Sequence, residues 1–246
     1  MKRVARKRIV FVIVEGPSEE DALGILLNKI YDKNLVYLHI THGDITIADD
    51  TDSNNIISKI SDVIKSYAES NHLTSDHFQE IVHIIDTDGA FIPKEAVVYN
   101  KEAKKPIYEL KTIQTNNVEK IQKRNERKSR CLVRIAQEDH IWNIPYQAYY
   151  MSSNLDHVLY DKQNSSDEEK EADSLAFARK YRDDIDGFIN YICDSPFSVP
   201  MNYRESWKYI QEETRSLERH TNFGICLTKA IGNTEAEKDE SSTDSN

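Results

Sequence analysis

The strongest signal along the chain is a run of six apolar residues, Ile9-Val10-Phe11-Val12-Ile13-Val14, five of them β-branched. A short continuous apolar run closed by turn residues predicts a strand buried on both faces of a parallel sheet. It stops at Glu15-Gly16-Pro17, where Gly16 permits a sharp turn and Pro17 suits the first position of a helix. Beyond it, Ala22, Leu23, Leu26, Leu27 and Ile30 recur at spacings of three and four, which predicts an amphipathic helix. Leu35 to Ile40 predicts a second strand, and a polar Asp/Asn-rich loop leads to a second amphipathic helix through Ile56, Ile57, Ile60, Val63, Ile64 and Tyr67. A third strand, Ile81 to Ile85, runs directly into Asp86-Thr87-Asp88-Gly89.

Strand, helix, strand, helix, strand within ninety residues predicts a doubly wound α/β arrangement. Glu15 and the Asp86/Asp88 pair then follow the carboxyl ends of two strands, the edge where open α/β sheets bind ligands. Further on the pattern weakens. Phe91 to Lys111 reads as an irregular excursion, Asn117 to Arg130 as a basic helix, and Tyr146 to Met151 as a fourth strand. Ser152-Ser153-Asn154 then caps a short helix holding Asp156 and His157. Asn164 to Lys170 reads as a loop, with helices over Lys170 to Tyr181, Ile185 to Cys193 and Tyr203 to about Leu217. The expected organisation is a core over residues 1–160 interrupted by a basic insertion at about 91–145, a helical region over 161–233, and an acidic, Ser-rich disordered tail over 234–246.

Charge changes the picture more through its distribution than its sum. The chain carries a net charge of −10, yet Lys101 to Arg134 holds eleven Lys/Arg against four Glu, a local balance of +7. The remainder therefore carries −17. A basic segment beside an acidic centre suits a phosphodiesterase, cations holding the nucleic-acid backbone and carboxylates a metal; a solvated helix face of mixed charge is the plainer alternative. No apolar run reaches the roughly 18 residues that cross a bilayer. The basic N-terminus is followed by six apolar residues and no small-residue cleavage site, so a secretory signal is not expected. Three widely spaced cysteines, Cys131, Cys193 and Cys226, argue against a disulfide framework and suit a cytoplasmic protein.

Among the candidate residues, Glu15 stands out because an unpaired charge at the end of so apolar a strand is costly to bury. Glu19, Glu20 and Asp21 have an ordinary explanation in the dipole of the helix they open. Asp86-x-Asp88 can bring two carboxylates onto one hard cation such as Mg²⁺, although Asp-Gly is also common turn chemistry. Asp156 can approach the same edge, or can simply favour its own helix N-terminus. Lys170, within Asp167-Glu168-Glu169-Lys170-Glu171, reads as a solvated helix start, with a phosphate contact as the alternative. His39, His42 and Asp44 lack a third nitrogen or sulfur neighbour and are a poor zinc set. Tyr146, Tyr149 and Tyr150 are expected in the core rather than stacked on bases.

A buried strand ending in Val14-Glu15-Gly16, about seventy residues with one strand and two helices, and a buried strand ending in Ile85-Asp86-Thr87-Asp88 together resemble the TOPRIM domain. The resemblance covers about residues 9–90, and Glu15-Gly16-Pro17-Ser18-Glu19 looks most like the OLD-type and RloB-like phage-defence nucleases. It implies a TOPRIM-like, doubly wound, mainly parallel α/β sheet with a helical C-terminal part. It implies Mg²⁺ or Mn²⁺ held by Asp86, Asp88 and Asp156, with Glu15 as ligand or general base and Glu19 helping to hold a second ion. The implied activity is metal-dependent hydrolysis of DNA or RNA by a prokaryotic anti-phage effector. The alternative is a non-catalytic TOPRIM-like module that binds nucleic acid or a partner. No G-x-x-x-x-G-K-[ST] occurs, so any ATPase control is expected from an inhibitory or sensing partner chain.

Overall fold

The computed structural model describes residues 8–31, 36–42, 45–46 and 50–232. Its centre is a five-stranded sheet of β1 (Arg8–Val14), β2 (Val36–His42), β3 (Phe78–Asp86), β7 (His140–Ile141) and β8 (Ile144–Met151), in the order β2-β1-β3-β8-β7. All neighbours are parallel except the short edge pair β7/β8.

The apolar run of β1 is buried on both faces, as a central parallel strand requires. Val10, Val12 and Val14 enter one core, with Val82 and Ile84 of β3 and Tyr149 and Met151 of β8. Ile9, Phe11 and Ile13 enter the other, with Ile81, Ile85, Tyr146, Ala148 and Tyr150. Each fully buried Val or Ile contributes about 2 kcal/mol of transfer free energy, so β1 alone is a large part of the driving force. The tyrosines of β8 are core residues, as their spacing predicts.

Helices cover both faces. The first core is closed by α1 (Pro17–Ile30), α4 (Leu155–Tyr160), α5 (Asp167–Tyr181), α6 (Ile185–Cys193) and α8 (residues 223–232). The second is closed by α2 (Ile56–Ser70), α3 (Val118–Ala136) and α7 (Tyr203–Tyr209). Chain order and sheet order part company at β1/β3: one connection leaves β1 toward β2, and the next returns past β1 to β3. Their carboxyl ends therefore form a topological switch point.

Four readings of the sequence need correction. Phe91 to Lys111 is not wholly irregular, because β4 (Val97–Tyr99) and β5 (Ile107–Tyr108) join β6 (Ile113–Thr115) in a small sheet over Ile92, Ile121 and Leu217. The basic helix is longer than expected, Val118–Ala136. Helix α5 begins at Asp167 rather than Lys170, because Ser166 and Glu169 form a reciprocal capping box. Helix α7 ends at Tyr209, and turns carry the chain to Leu217. That departure seats Leu217 in the small core and sets the Ser216 carbonyl on the Thr87 hydroxyl. Leu35, Asp44 and the expected tail at 234–246 lie outside the described residues. Among the described residues, no helix is long and apolar enough to cross a membrane.

Candidate functional site

The switch point is built by two strand ends. β1 delivers Glu15 and β3 delivers Asp86, and the Glu15 carboxylate Oε1 accepts from the Asp86 N–H at 3.1 Å. An amide at the end of β3 thus bonds an acidic side chain, which fixes that side chain at the edge. Glu19 stands in the first turn of α1, and a Cβ at Gly16 would lie 3.2 Å from its carboxylate oxygen. Glycine at 16 keeps this space open.

The Asp86-Thr87-Asp88-Gly89 turn is held from several sides. Thr87 N–H donates to Met151 O at 2.9 Å, and Asp88 N–H to Ser153 O at 2.8 Å. The Thr87 hydroxyl donates to Ser216 O at 2.8 Å and accepts from Ser153 N–H at 2.9 Å. Asp88 and Gly89 both take left-handed φ, 50° and 65°. For Gly89 this suits the residue type, and its open side is filled by Leu217.

One buried residue of α3 completes the cluster, and nothing in the sequence reading singles it out. Lys128 is 1% exposed; its ammonium bonds Asp88 Oδ2 directly and lies 3.6 Å from Glu15 Oε1. Around it, Arg124 donates to the Asp88 carbonyl at 2.8 Å and to the Tyr108 hydroxyl at 2.6 Å, and the Asn125 amide to the Gly89 carbonyl at 3.3 Å. The signal that could have found Lys128 is its place on the inward stripe of α3, with Ile121, Asn125, Cys131, Leu132 and Ile135. A lysine on a buried stripe needs a partner.

The electrostatics divide the carboxylates. Burial pushes the Asp86 carboxyl well above the usual range, and Glu15, Glu19 and Asp88 push it further, with Lys128 only partly opposing. Burial also acts on Asp88, but Lys128 and Arg124 outweigh it and hold that carboxyl below its ordinary value. Burial works against the charged Lys128 amine, yet Asp88 and Glu15 outweigh it and raise its pKa. His83 lies in the same interior, its Nδ1 2.8 Å from the Tyr146 hydroxyl, and burial with Lys128 lowers it to about 3.

Asp156 is buried in the first turn of α4, and Asn154 caps that helix by accepting from His157 N–H at 2.8 Å. Lys170 reaches it at 3.6 Å, so this lysine belongs to the site rather than only to a solvated helix start. Burial raises Asp156 to about 6, Lys170 opposing and Glu19 adding. Glu19 thus bears on both Asp86 and Asp156.

The histidines do not join it as a set. His39 stacks on Tyr67 at a centroid distance of 3.9 Å, and His42 pairs with Glu20 at 2.6 Å. Along α3, a groove of about 520 Å³ is lined by Asn117, Lys120, Lys123, Arg124 and Arg127, with Glu119 the one acidic member. Part of that helix is internally neutralised, through Lys123–Glu119, Arg130–Glu126 and Arg134–Glu138.

The donor chemistry of the edge, carboxylates without sulfur or imidazole, fits a hard divalent cation in kind. Among the described residues, no three His, Cys, Asp or Glu already stand as a ready metal set. Comparison with protein-family models, curated proteins and solved structures gives no match for this chain.

Proposed function

We propose that this chain is a cytoplasmic, metal-dependent nuclease on a TOPRIM-like core, hydrolysing phosphodiester bonds of DNA or RNA, as an anti-phage effector would. The observation that carries the reading is an excess of carboxylates at the switch point of a parallel sheet: buried Asp86, Glu15 on its N–H, and Asp88 two residues on, with one lysine bonded among them. Such an excess is the environment a divalent cation relieves. Asp86, Asp88 and Asp156 would hold Mg²⁺ or Mn²⁺, with Glu19 beside them. When bound, the ion lowers the pKa of an attacking water and stabilises charge on the phosphoryl group in flight.

The chain's own residues supply the rest. Glu15, fixed by the Asp86 amide, is the proton acceptor for the water. Lys170, half-exposed beside Asp156, contacts a substrate phosphate. The basic groove of α3 tracks the nucleic-acid backbone. Restraint by an inhibitory or sensing partner, an ATPase among the options, belongs to the same proposal; co-purification from the host as a lone monomer would count against a stable complex.

The test is cleavage of mixed DNA and RNA substrates with Mg²⁺, Mn²⁺ or EDTA, comparing wild type with Glu15→Ala and Asp86→Ala. Expected is metal-dependent cutting that falls at least about 100-fold in both variants, the scale of losing one electrostatic or acid–base contribution. Metal-independent cutting, or full activity in either folded variant, would overturn it.

One observation favours a second reading, a non-catalytic module that binds nucleic acid or a partner. Lys128 already bridges Glu15 and Asp88, so part of the cluster is balanced without metal. Binding that EDTA does not alter, with no cutting in any metal, would select it.

A further inference from the structure

A lysine ammonium between two carboxylates from different strand ends does what a metal ion would do there. Lys128 bonds Asp88, which follows β3, and stands 3.6 Å from Glu15, which follows β1. We infer that Lys128 is a built-in cation, filling the place between Glu15 and Asp88 that a second divalent ion would need, so that the centre takes one ion, on the Asp86 side. The inference rests on the metal-dependent reading above.

Three observations carry it. First, the amine has no easy way out. It is 1% exposed, and the turn of α3 preceding it is pinned to the Asp-Thr-Asp-Gly turn by Arg124 on the Asp88 carbonyl and Asn125 on the Gly89 carbonyl. Cys131, Leu132 and Ile135 bury the following turns in the sheet core. The lysine is therefore part of the rigid frame and not a mobile surface arm.

Second, its position is a core position in every respect but chemistry. An apolar side chain there would spare the desolvation of an ammonium, so packing alone does not account for a charged residue. Third, a divalent ion brought between Glu15 and Asp88 would meet a fixed positive charge in a water-poor setting, where repulsion is poorly screened. Asp86 and Glu19 are not bonded by Lys128, and with the second oxygen of Asp88 they are the donors left for one ion. Asp156 continues the same side, with Lys170 as a half-exposed partner that water can screen. The centre is thereby asymmetric: one cation is supplied covalently by α3 and one place is left for solution to fill.

Mn²⁺ binding to the full chain tests this by a readout independent of catalysis. Calorimetric titration and the paramagnetic resonance of free Mn²⁺ count bound ions in wild type, Lys128→Met and Lys128→Arg, and melting curves with and without Mn²⁺ accompany them. One ion is expected in wild type and Lys128→Arg. Two are expected in Lys128→Met, whose melting temperature should rise with Mn²⁺ by more than that of wild type. Two ions in wild type would overturn the inference, as would a folded Lys128→Met that still takes one ion at unchanged affinity. If Lys128→Met fails to fold, the counts for wild type and Lys128→Arg decide it, two in either overturning it. A wild type that cuts in Mn²⁺ while holding two ions defeats this inference alone. A wild type that binds no ion and cuts nothing defeats the metal-dependent reading as well.

Discussion

Lys128 and Lys170 each pair with an aspartate at the same sheet edge, and the two pairs behave differently. Lys128 is 1% exposed, bonds Asp88 directly and has Glu15 as a second partner; Lys170 is 37% exposed and stands 3.6 Å from Asp156. Asp88 is held below the ordinary carboxylate range by Lys128 and Arg124, against its burial. Asp156 is also buried and also has a lysine, yet it rises to about 6. The difference is geometric. A close ammonium supported by a guanidinium offsets the desolvation of a carboxylate, whereas a single longer contact to a solvated amine does not.

The largest expected effect comes from removing the tight pair. Lys128→Met leaves the half-buried carboxylates of Glu15 and Asp88 without their counter-charge, and a loss of about 3 kcal/mol, the low end for a buried pair, is expected in urea unfolding of the metal-free protein. A loss below about 1 kcal/mol would mean the pair is far more hydrated than its burial indicates. Lys170→Met is expected to cost much less, about 1 kcal/mol or under, because the amine is solvated and its 3.6 Å contact does not hold the Asp156 carboxyl below its usual range.

Gly89→Ala probes the turn that presents Asp88 to Lys128. Its φ of 65° disfavours a Cβ, and that atom would lie 2.5 Å from Leu217 Cδ2. A loss of about 2 kcal/mol is expected in thermal unfolding, from strain and the displacement of Leu217. An unchanged melting temperature would show that the turn relaxes freely.

The smallest effect is the pH dependence of the looser pair. The Asp156 carboxyl rises to about 6 through burial, above an unfolded value near 4. The native chain therefore holds an extra proton between those values, and this contribution to stability is present below about pH 4 and lost as pH rises through about 6. His157 runs the other way. Burial lowers it to about 4, so its contribution is present above about pH 6.5 and lost as pH falls through 4. Asp156→Asn is expected to stabilise the metal-free protein at pH 7 by about 1 kcal/mol after solvent screening, and to steepen the decline toward acid by leaving His157 unopposed. Unfolding free energies from pH 4 to 8 check this; a parallel shift at all pH values would contradict it.

What the sequence made legible follows from burial. β1, β3 and β8 sit inside a sheet covered on both faces, so each holds consecutive buried side chains, wholly apolar from Ile9 to Val14 and broken only by His83 between Ile81 and Ile85. Glu15, Asp86 and Asp88 were readable because each interrupts or immediately follows such a run. Asp156 was readable through the Ser-Ser-Asn cap that ends β8. Lys128 was not, because its partners are 40 and 113 residues away and its own neighbourhood, Lys123-Arg124-Asn125-Glu126-Arg127-Lys128, reads as a solvated basic face. Only its register with Ile121 and Ile135 marks it as inward. The small sheet was illegible for another reason: strands of two or three residues are too short to express a period. The early end of α7 was hidden because residues 210–217 hold no Gly or Pro to mark it, although the turns there seat Ser216 and Leu217.

Everything proposed for this edge depends on a divalent cation binding at Asp86. The most direct measurement is anomalous scattering from crystals of the protein soaked in Mn²⁺, wild type beside Asp86→Asn. One strong peak is expected at the carboxyl edge, ligated by the Asp86 carboxylate and absent from Asp86→Asn. Saturating Mn²⁺ that leaves this edge without a peak, or a peak that survives undiminished in Asp86→Asn, would contradict it.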